Sequence, residues 1–169
     1  VPRHESLRTV FPSTNDAMPL QRVLSPEAAH PALEITQATE ATIAQQLSTA
    51  TAYAFDLSRE LPLRAWLFHL DADEHVLLLL CHHIACDGWS LSPLPRDLST
   101  AYSARCLNAP PAWAELPVQY IDYTLWQQEL LGDESDADSV SAGQLRYWQG
   151  TLAGLPEQLE LLGGPTRRA

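Results

Sequence analysis

The sequence predicts an α/β (α+β) fold in which helices pack on a mixed sheet. Short strand-like segments alternate along the 169 residues with longer segments whose apolar residues recur every three or four positions. Because the two kinds of segment are interspersed, a mixed class is the prediction. Apolar residues make up 46% of the chain and charged residues 18%, which is the composition of a folded domain.

The clearest strand prediction is a hairpin formed by residues 63–70 and 75–82. The first strand alternates between two faces, and the polar residues 71–74 form the turn. The second strand contains the uninterrupted apolar run 76–81, so we expect a central strand that is buried on both faces. Shorter strands are predicted at residues 21–24 and 33–36.

Helices are predicted wherever apolar residues fall on one side of a helical turn. The segments between them are rich in turn-forming, proline or acidic residues, so we interpret them as loops. The predicted helices are about 40–52, 93–106, 118–131 and 144–152, the predicted loops are 12–19, 108–117 and 132–139, and the tail 163–168 is a linker or a truncated strand.

The charge pattern excludes two classes of partner. With 21 acidic residues, 10 basic ones and a net charge of −11, the chain lacks the basic face that nucleic acids and anionic membranes require. No apolar run is long enough to span a bilayer, and residues 1–5 do not begin a signal peptide. We therefore expect no nucleic-acid partner, no membrane and a cytoplasmic location.

The cysteines Cys81, Cys86 and Cys106 are odd in number and lack the close paired spacing of zinc or redox motifs. We therefore expect no disulfide framework, which agrees with a reducing compartment. Cys86 is interpreted only as a small, polarizable side chain.

Residues 81–90 are the candidate site, because they end a predicted buried strand just before a predicted helix. His82 and His83 are adjacent, so on a strand their side chains point to opposite faces and only one easily reaches a given pocket. Asp87 is placed to orient an imidazole or to pair with an arginine. Gly88 permits a tight turn or the close approach of a ligand.

These residue types leave four interpretations open. In the first, a histidine is a general base or positions a nucleophile. In the second, His82, His83 and Asp87 bind a metal, although the opposed strand directions disfavour this. In the third, Ser90 is a nucleophile, although it lacks the Gly-x-Ser-x-Gly pattern of a nucleophile elbow. In the fourth, the histidines are structural residues whose polar atoms are bonded by the backbone.

Three motifs resemble those of nonribosomal peptide synthetase condensation domains. Residues 82–88 are similar to the family's His-His-x-x-x-Asp-Gly signature, and residues 3–11 to its Arg-His-Glu-x-Leu-Arg-Thr-x-Phe motif. Residues 120–126 resemble its Tyr-x-Asp-(Phe/Tyr)-Ala-Val-Trp motif, with Thr and Leu in the Ala and Val positions. Residues 144–156 also look like the family's next segment. The motifs occur in the family's order, and the resemblance spans essentially the whole chain.

The resemblance implies a chloramphenicol acetyltransferase-like fold of two lobes. A complete domain of this family is more than twice as long. We therefore expect residues 1–169 to be the N-terminal lobe, without the first residues of that lobe and without the C-terminal lobe. The family's active site lies in a tunnel between the lobes, so we expect this fragment alone to be inactive. Part of its apolar surface is expected on a face that the second lobe covers.

The implied reaction is amide-bond formation in the biosynthesis of antibiotics and other secondary metabolites. The amine of an acceptor attacks the acyl thioester of a donor, and each substrate is held on the 4'-phosphopantetheine arm of a carrier domain. The domain itself is expected to bind no cofactor and no metal. The expected partners are the upstream and downstream peptidyl carrier domains, an adenylation domain of the same assembly line and the missing C-terminal lobe.

The resemblance also implies roles for the site residues. By match to the motif, His83 faces the tunnel, where it is a base or positions the amine. His82 is expected to pack and orient the loop. Gly88 is expected to let the backbone approach the thioester, where an N–H stabilises developing negative charge.

Other residues are expected to be structural. Asp87 is implied to pair with an arginine, for which Arg3 and Arg8 are candidates; an arginine of the missing lobe is the alternative partner. Trp89 is interpreted as part of the core or of the tunnel wall. The remaining expectations are a helix face packed on the sheet (Tyr120, Asp122, Trp126) and surface positions for Arg64 and residues 133–138.

Two alternatives stay open. An epimerization domain shares His-His-x-x-x-Asp-Gly, but there the continuation is typically Val-Asp-Gly-Val-Ser-Trp, whereas residues 87–90 follow the condensation pattern. A non-catalytic carrier-docking scaffold is the other alternative. Cyclization domains are disfavoured, because an aspartate replaces their histidines.

Overall fold

The computed structural model describes residues 1–13 and 19–156, and the chain divides into two units, Val1–Ile121 and Asp122–Ala169. Helices and a mixed sheet are both present, so the predicted mixed class is confirmed. The predicted tail segment 163–168 lies outside the described residues. The strands are β1 (Thr9–Val10), β2 (Arg22–Val23), β3 (Ala32–Gln37), β4 (Leu63–His69) and β5 (His75–Cys81); the helices are α1 (Ile43–Thr51), α2 (Pro93–Cys106), α3 (Tyr120–Leu131) and α4 (Val140–Thr151), with 3₁₀ helices at Glu5–Arg8 and Gly88–Leu91.

Three strands form the larger sheet, in the order β3-β4-β5. β4 pairs antiparallel with β5, from Leu63 opposite Cys81 to His69 opposite His75, which confirms the predicted hairpin. β4 pairs in parallel with β3, and α1 supplies the crossover that a parallel connection requires. β1 and β2 form a separate antiparallel pair.

The central strand of the larger sheet is β4, so the prediction that β5 is central and buried on both faces is wrong. Every residue of β5 is at least partly exposed, whereas Leu63, Trp66 and Phe68 of β4 are buried. Within the described part of the chain, β5 has a neighbour on one side. An apolar run indicates a strand, but the number of its neighbours depends on pairing with distant segments, which local composition does not encode.

One face of the sheet packs against α1. Trp66 and Phe68 are 6% and 2% exposed, and they form a cluster with Ala50 of α1. Ile43 and Leu47, one helical turn apart, pack against the same cluster. Burial of a large apolar side chain contributes about 1.5–3 kcal/mol, so this cluster is a main source of stability in the unit.

The opposite face of the sheet is apolar and incompletely covered. Leu33, Ile35 and Leu77 are 55%, 59% and 46% exposed. A cavity of about 400 Å³ lies between this face and α2, and Leu94 and Leu98 of α2 line it. Part of this apolar face is therefore exposed, and its covering by a second lobe stays a prediction.

Arg64 lies within a side-chain cluster, so its expected surface position is wrong. Its side chain is 18% exposed. The guanidinium donates to Glu34 Oε1 at 2.6 Å and to Tyr53 Oη at 2.8 Å, and it lies 4.1 Å from the centroid of the Tyr53 ring. Because Arg64 pairs with Ala32, Glu34 is its diagonal neighbour on the adjacent strand. Alternation along β4 predicts which face of the strand carries Arg64, but it does not predict that Tyr53 and Glu60 cover Arg64 there.

The unit Asp122–Ala169 contains α4 and most of α3. α4 begins earlier than predicted, at Val140, because the Ser139 hydroxyl accepts a hydrogen bond of 3.0 Å from the N–H of Ala142 and caps the helix. Residues 133–138 are exposed, as predicted. Trp126 of α3 is 55% exposed and is not part of a core. Across both units, no described helix has the length and apolarity needed to cross a bilayer.

Candidate functional site

The candidate site lies on the loop after β5 and not on the strand itself. β5 ends at Cys81, although the N–H of His82 still donates to the Pro62 carbonyl at 2.9 Å. The chain then turns, and His82 Nδ1 accepts a hydrogen bond of 3.0 Å from the N–H of Ile84. The predicted strand alternation therefore does not reach His83, because both histidines lie beyond the regular strand.

The two histidines nevertheless have different surroundings. The imidazole of His82 is partly buried and meets the Phe55 ring edge-on, with the ring centroids 5.8 Å apart. The side chain of His83 is exposed. An incoming molecule can therefore reach the His83 imidazole, while His82 is held by packing and by its bond to the loop backbone.

Asp87 shapes the loop through Ser90. Its carboxylate accepts hydrogen bonds from the Ser90 hydroxyl at 2.9 Å and from the Ser90 N–H at 3.1 Å, and its own N–H donates to that hydroxyl at 3.0 Å. The bond from the hydroxyl is the largest cause of a lowered pKa at Asp87, and the N–H groups of Ser90 and Trp89 and the charge of His83 act in the same direction. This reciprocal cap begins the 3₁₀ helix at Gly88.

The arginines expected to pair with Asp87 bind other carboxylates. Arg3 lies 3.0 Å from Asp97, and Arg8 lies 2.9 Å from Glu5. Over the residues that the structure describes, Asp87 takes part in no ion pair. Arg3 and Arg8 are therefore wrong as partners of Asp87, because each is held by a different carboxylate. A pairing with an arginine of the missing lobe stays a prediction.

Gly88 begins the 3₁₀ turn Gly88–Leu91, but this turn does not need a left-handed glycine. Its φ lies outside the left-handed region, and a Cβ built on it meets no atom within 4 Å. The cap between Asp87 and Ser90 fixes the start of the turn. The backbone at Gly88 is open to an approaching group. Trp89 is 89% exposed, so the expectation that it belongs to the core is also wrong.

Cys81 and Cys86 are joined by a disulfide, which the count and spacing of the cysteines did not predict, and the interpretation of Cys86 as only a small side chain is wrong. Their Cα atoms are 6.2 Å apart across the turn that follows β5. The spacing of the cysteines does not indicate this pair, because the two residues come together only through the turn that follows β5. Cys106 is free and exposed. Among the residues with described positions, no group of three or more His, Cys, Asp or Glu side chains is arranged to hold a metal ion.

Some residues of each sequence motif line one cavity within the unit Val1–Ile121. This cavity of about 160 Å³ is lined by Glu5 and Ser6 of the first motif, by Ile84 of the second and by Tyr120 of the third. Residues that are far apart in sequence therefore lie close together in this unit. Tyr120 is 59% exposed, so it lines this cavity without being buried.

Gln119 connects two of these segments and was missed in the sequence. Its side-chain oxygen accepts from the N–H of Glu5 at 3.1 Å, and its side-chain nitrogen donates to the carbonyl of Arg3 at 3.1 Å. Asp97 of α2 was also missed, and its carboxylate lies 2.7 Å from His4 Nε2. No local pattern marks either residue, because their partners are distant in sequence.

Comparison with known proteins gives consistent matches. Residues 1–169 match the family model described as Condensation domain. The isonitrile lipopeptide synthase of Mycobacterium tuberculosis is 52% identical over 171 residues, which cover 99% of this chain and 7% of that protein. The dimodular nonribosomal peptide synthase of Bacillus subtilis is 54% identical over 159 residues, which cover 94% of this chain and 7% of that protein.

A solved structure also matches almost the whole chain. It is the complex of the X-domain and OxyB from teicoplanin biosynthesis, with a TM-score of 0.85 and 37% sequence identity. The match covers 99% of this chain and 35% of that chain. The chain thus spans about a third of this solved protein and less than a tenth of the two synthases.

Proposed function

The chain belongs to the Condensation domain family, and from this premise we propose that it forms part of a catalytic site for amide-bond formation in nonribosomal peptide synthesis. The observation that carries the proposal is the loop after β5, where His83 is exposed while His82 is held against Phe55. A general base has to be within reach of the substrate proton, and of these two histidines His83 has the exposed side chain.

The proposed reaction joins a donor acyl thioester to an acceptor amine. The amine nitrogen attacks the thioester carbonyl, and a tetrahedral intermediate forms with a cationic nitrogen and an anionic oxygen. The nitrogen loses a proton, the C–S bond breaks, and the thiol of the donor arm is released as the amide forms. An imidazole suits the proton transfer near neutral pH, because its unperturbed pKa is about 6.5.

Four residues of the loop have a proposed part in this reaction. His83 accepts the proton or positions the amine, and a correctly oriented substrate supplies much of the remaining rate. Gly88 lets the backbone N–H groups of the loop approach the anionic oxygen. Asp87 holds the loop through Ser90, and His82 holds its other end against Phe55.

The substrates and partners are part of the same proposal. Both acyl groups are carried on 4'-phosphopantetheine arms of carrier domains upstream and downstream, and an adenylation domain of the same assembly line loads a carrier. Residues 1–169 act as the N-terminal lobe of the domain, together with a C-terminal lobe, and are inactive alone. The location is cytoplasmic. The similarity to the two synthases along nearly the full chain supports the proposal of carrier-bound substrates.

The test is His83→Ala in the full-length protein, assayed for the amide product with both carriers loaded. Loss of a general base lowers the rate by about 10²–10⁴-fold. His30→Ala is the matched control, since His30 is also exposed and lies away from the motif, and its product rate is expected to stay unchanged. An unchanged rate for His83→Ala would falsify the catalytic assignment. Epimerized donor without amide product would instead indicate the epimerization alternative.

One observation favours a second candidate, a docking scaffold. The X-domain, which shares this fold at 37% identity, was solved in complex with the protein OxyB. A docking scaffold is expected to bind its partner without forming amide bonds. It is therefore indicated if the full-length protein binds loaded carriers and yields no amide, with or without His83→Ala.

A further inference from the structure

The disulfide between Cys81 and Cys86 encloses both candidate histidines. Cys81 is the last residue of β5, and Cys86 immediately precedes the capping residue Asp87. The Cα separation of 6.2 Å lies within the range that disulfides span. The bond therefore ties the end of the sheet to the start of the 3₁₀ helix, and His83 lies on the short segment between.

Apart from the disulfide, few hydrogen bonds hold the segment between Cys81 and Cys86. The N–H of His82 bonds to Pro62, which lies on the chain just before β4. The other bonds found between the two cysteines are local: the N–H groups of Ile84 and Ala85 donate to Nδ1 and to the carbonyl of His82. A segment with mostly local bonds opens at low free energy, so a covalent tie across it has a large effect on its motion.

Both cysteines are also partly exposed to solvent. Cys86 lines a small recess of about 70 Å³ beside Ser6 and Ser90. Exposed disulfides that close short loops are the labile ones, because they gain little from restricting the unfolded chain and are reached easily by a thiolate.

We propose that Cys81 and Cys86 are a reversible thiol–disulfide pair that sets how firmly the loop bearing His83 is held. In the oxidation, the two cysteine thiols react with one glutathione disulfide through a mixed disulfide. One S–S bond forms in the protein, the glutathione S–S bond breaks, and the two thiol protons end on two molecules of glutathione. Reduction is the reverse exchange and releases the segment.

The consequence for catalysis rests on the proposed function, because it requires His83 to act on the substrate. A site held on a rigid segment is better positioned than one on a mobile loop. The oxidised form is therefore the one that fixes the imidazole, and the reduced form is the one in which His83 moves. The measurements below follow the loop itself, so their result is independent of the His83→Ala assay.

The first measurement is the redox state of the pair in the full-length protein. The protein is equilibrated at a series of glutathione to glutathione disulfide ratios, alkylated and digested, and the peptides are analysed by mass spectrometry. The linked fraction of Cys81 and Cys86 is expected to rise with glutathione disulfide and to return to zero with dithiothreitol. Cys106, which is exposed and free, serves as the control for alkylation.

The second measurement is hydrogen exchange of the peptide covering residues 82–87 at the two extremes of the series. Oxidation is expected to slow exchange there by about three- to tenfold, because the covalent tie raises the free energy of local opening. Cys86→Ala is expected to remove the redox dependence, whereas Cys106→Ala is expected to retain it. The proposal is overturned if no linked peptide forms at any ratio, or if it forms and exchange in residues 82–87 does not change. Because wild type in its two states is the main comparison, a variant that folds poorly does not affect the outcome.

Discussion

Replacement of Arg64 by alanine is expected to destabilise the sheet far more than a surface arginine would. Arg64 donates to Glu34 at 2.6 Å and to Tyr53 at 2.8 Å, and it lies 3.3 Å from Glu60. Its guanidinium is also 4.1 Å from the centroid of the Tyr53 ring. The alanine variant loses all of these contacts and leaves the carboxylate of Glu60, which is 25% exposed, without its cation.

The magnitude follows from the kinds of contact that are lost. Hydrogen bonds to charged groups contribute about 1.5–3 kcal/mol, and a cation–π contact contributes about 0.5–1 kcal/mol at a partly exposed site. Glu34 is half exposed and regains water when Arg64 is removed, so its ion pair contributes less than a buried one. We therefore expect Arg64→Ala to lower the free energy of opening of β4 by about 2–4 kcal/mol.

Arg59→Ala is the matched control for this experiment. Arg59 also faces a carboxylate, but its side chain is 86% exposed and lies 3.8 Å from Asp56. Exposed pairs of this kind contribute about 0–1 kcal/mol, so the expected change is below about 0.5 kcal/mol. Arg64→Lys is expected to fall between the two, because lysine keeps the charge but not the planar fork that stacks on Tyr53.

Native-state hydrogen exchange of peptides covering β4 measures the difference directly. A loss of about 2–4 kcal/mol speeds exchange by about 30- to 1,000-fold where exchange follows local opening. If Arg64→Ala accelerates exchange in β4 no more than Arg59→Ala does, the cluster around Arg64 carries no net stability and the reasoning from its contacts is refuted.

Two further predictions concern the loop. Gly88→Ala is expected to leave hydrogen exchange of the loop unchanged, because a Cβ there meets no atom within 4 Å. It is expected to reduce amide formation by more than about tenfold if the loop backbone approaches the thioester. A rate of amide formation equal to that of the wild type would exclude Gly88 from the mechanism. Hydrogen bonds from Ser90 lower the pKa of Asp87, so the cap contributes stability above the ordinary aspartate pKa, and this contribution is lost as pH falls through the lowered value. NMR titration is expected to find the Asp87 midpoint below its usual range and to find it raised in Ser90→Ala, and equal midpoints in the two proteins would contradict this.

Much of the fold could be predicted from local pattern. The predicted helix 93–106 matches α2, and the hairpin of β4 and β5 was located within one residue at its outer ends. These segments combine clear periodicity with clear turn residues, and both signals act over a few positions. The earlier start of α4 was also within reach, since Ser139 is a good N-cap residue next to the acidic loop.

The rest depends on contacts between distant residues. The central place of β4 follows from its parallel pairing with β3, and no property of β4 alone encodes that partner. Arg64 became partly buried because Tyr53 and Glu60, between α1 and β4, fold over it. The bonds from Gln119 to Glu5 and Arg3 likewise join segments far apart in sequence. Local pattern predicts an element and its faces, but not what covers each face.

The observed hydrogen bonds of Asp87 follow from a local capping pattern in the sequence and not from a long-range ion pair with an arginine. The sequence Asp87-Gly88-Trp89-Ser90 has a capping aspartate with a serine three positions later, which is a sufficient pattern for reciprocal hydrogen bonds at a helix start. Such a cap requires no distant partner, so it forms as soon as the 3₁₀ turn does. Both Ser90 bonds go to one carboxylate oxygen of Asp87, Oδ1. Asp87 is therefore expected to affect His83 indirectly, by fixing the backbone of residues 87–90. Ser90→Ala is expected to disturb the loop by removing this cap, and this effect requires no nucleophilic role for Ser90.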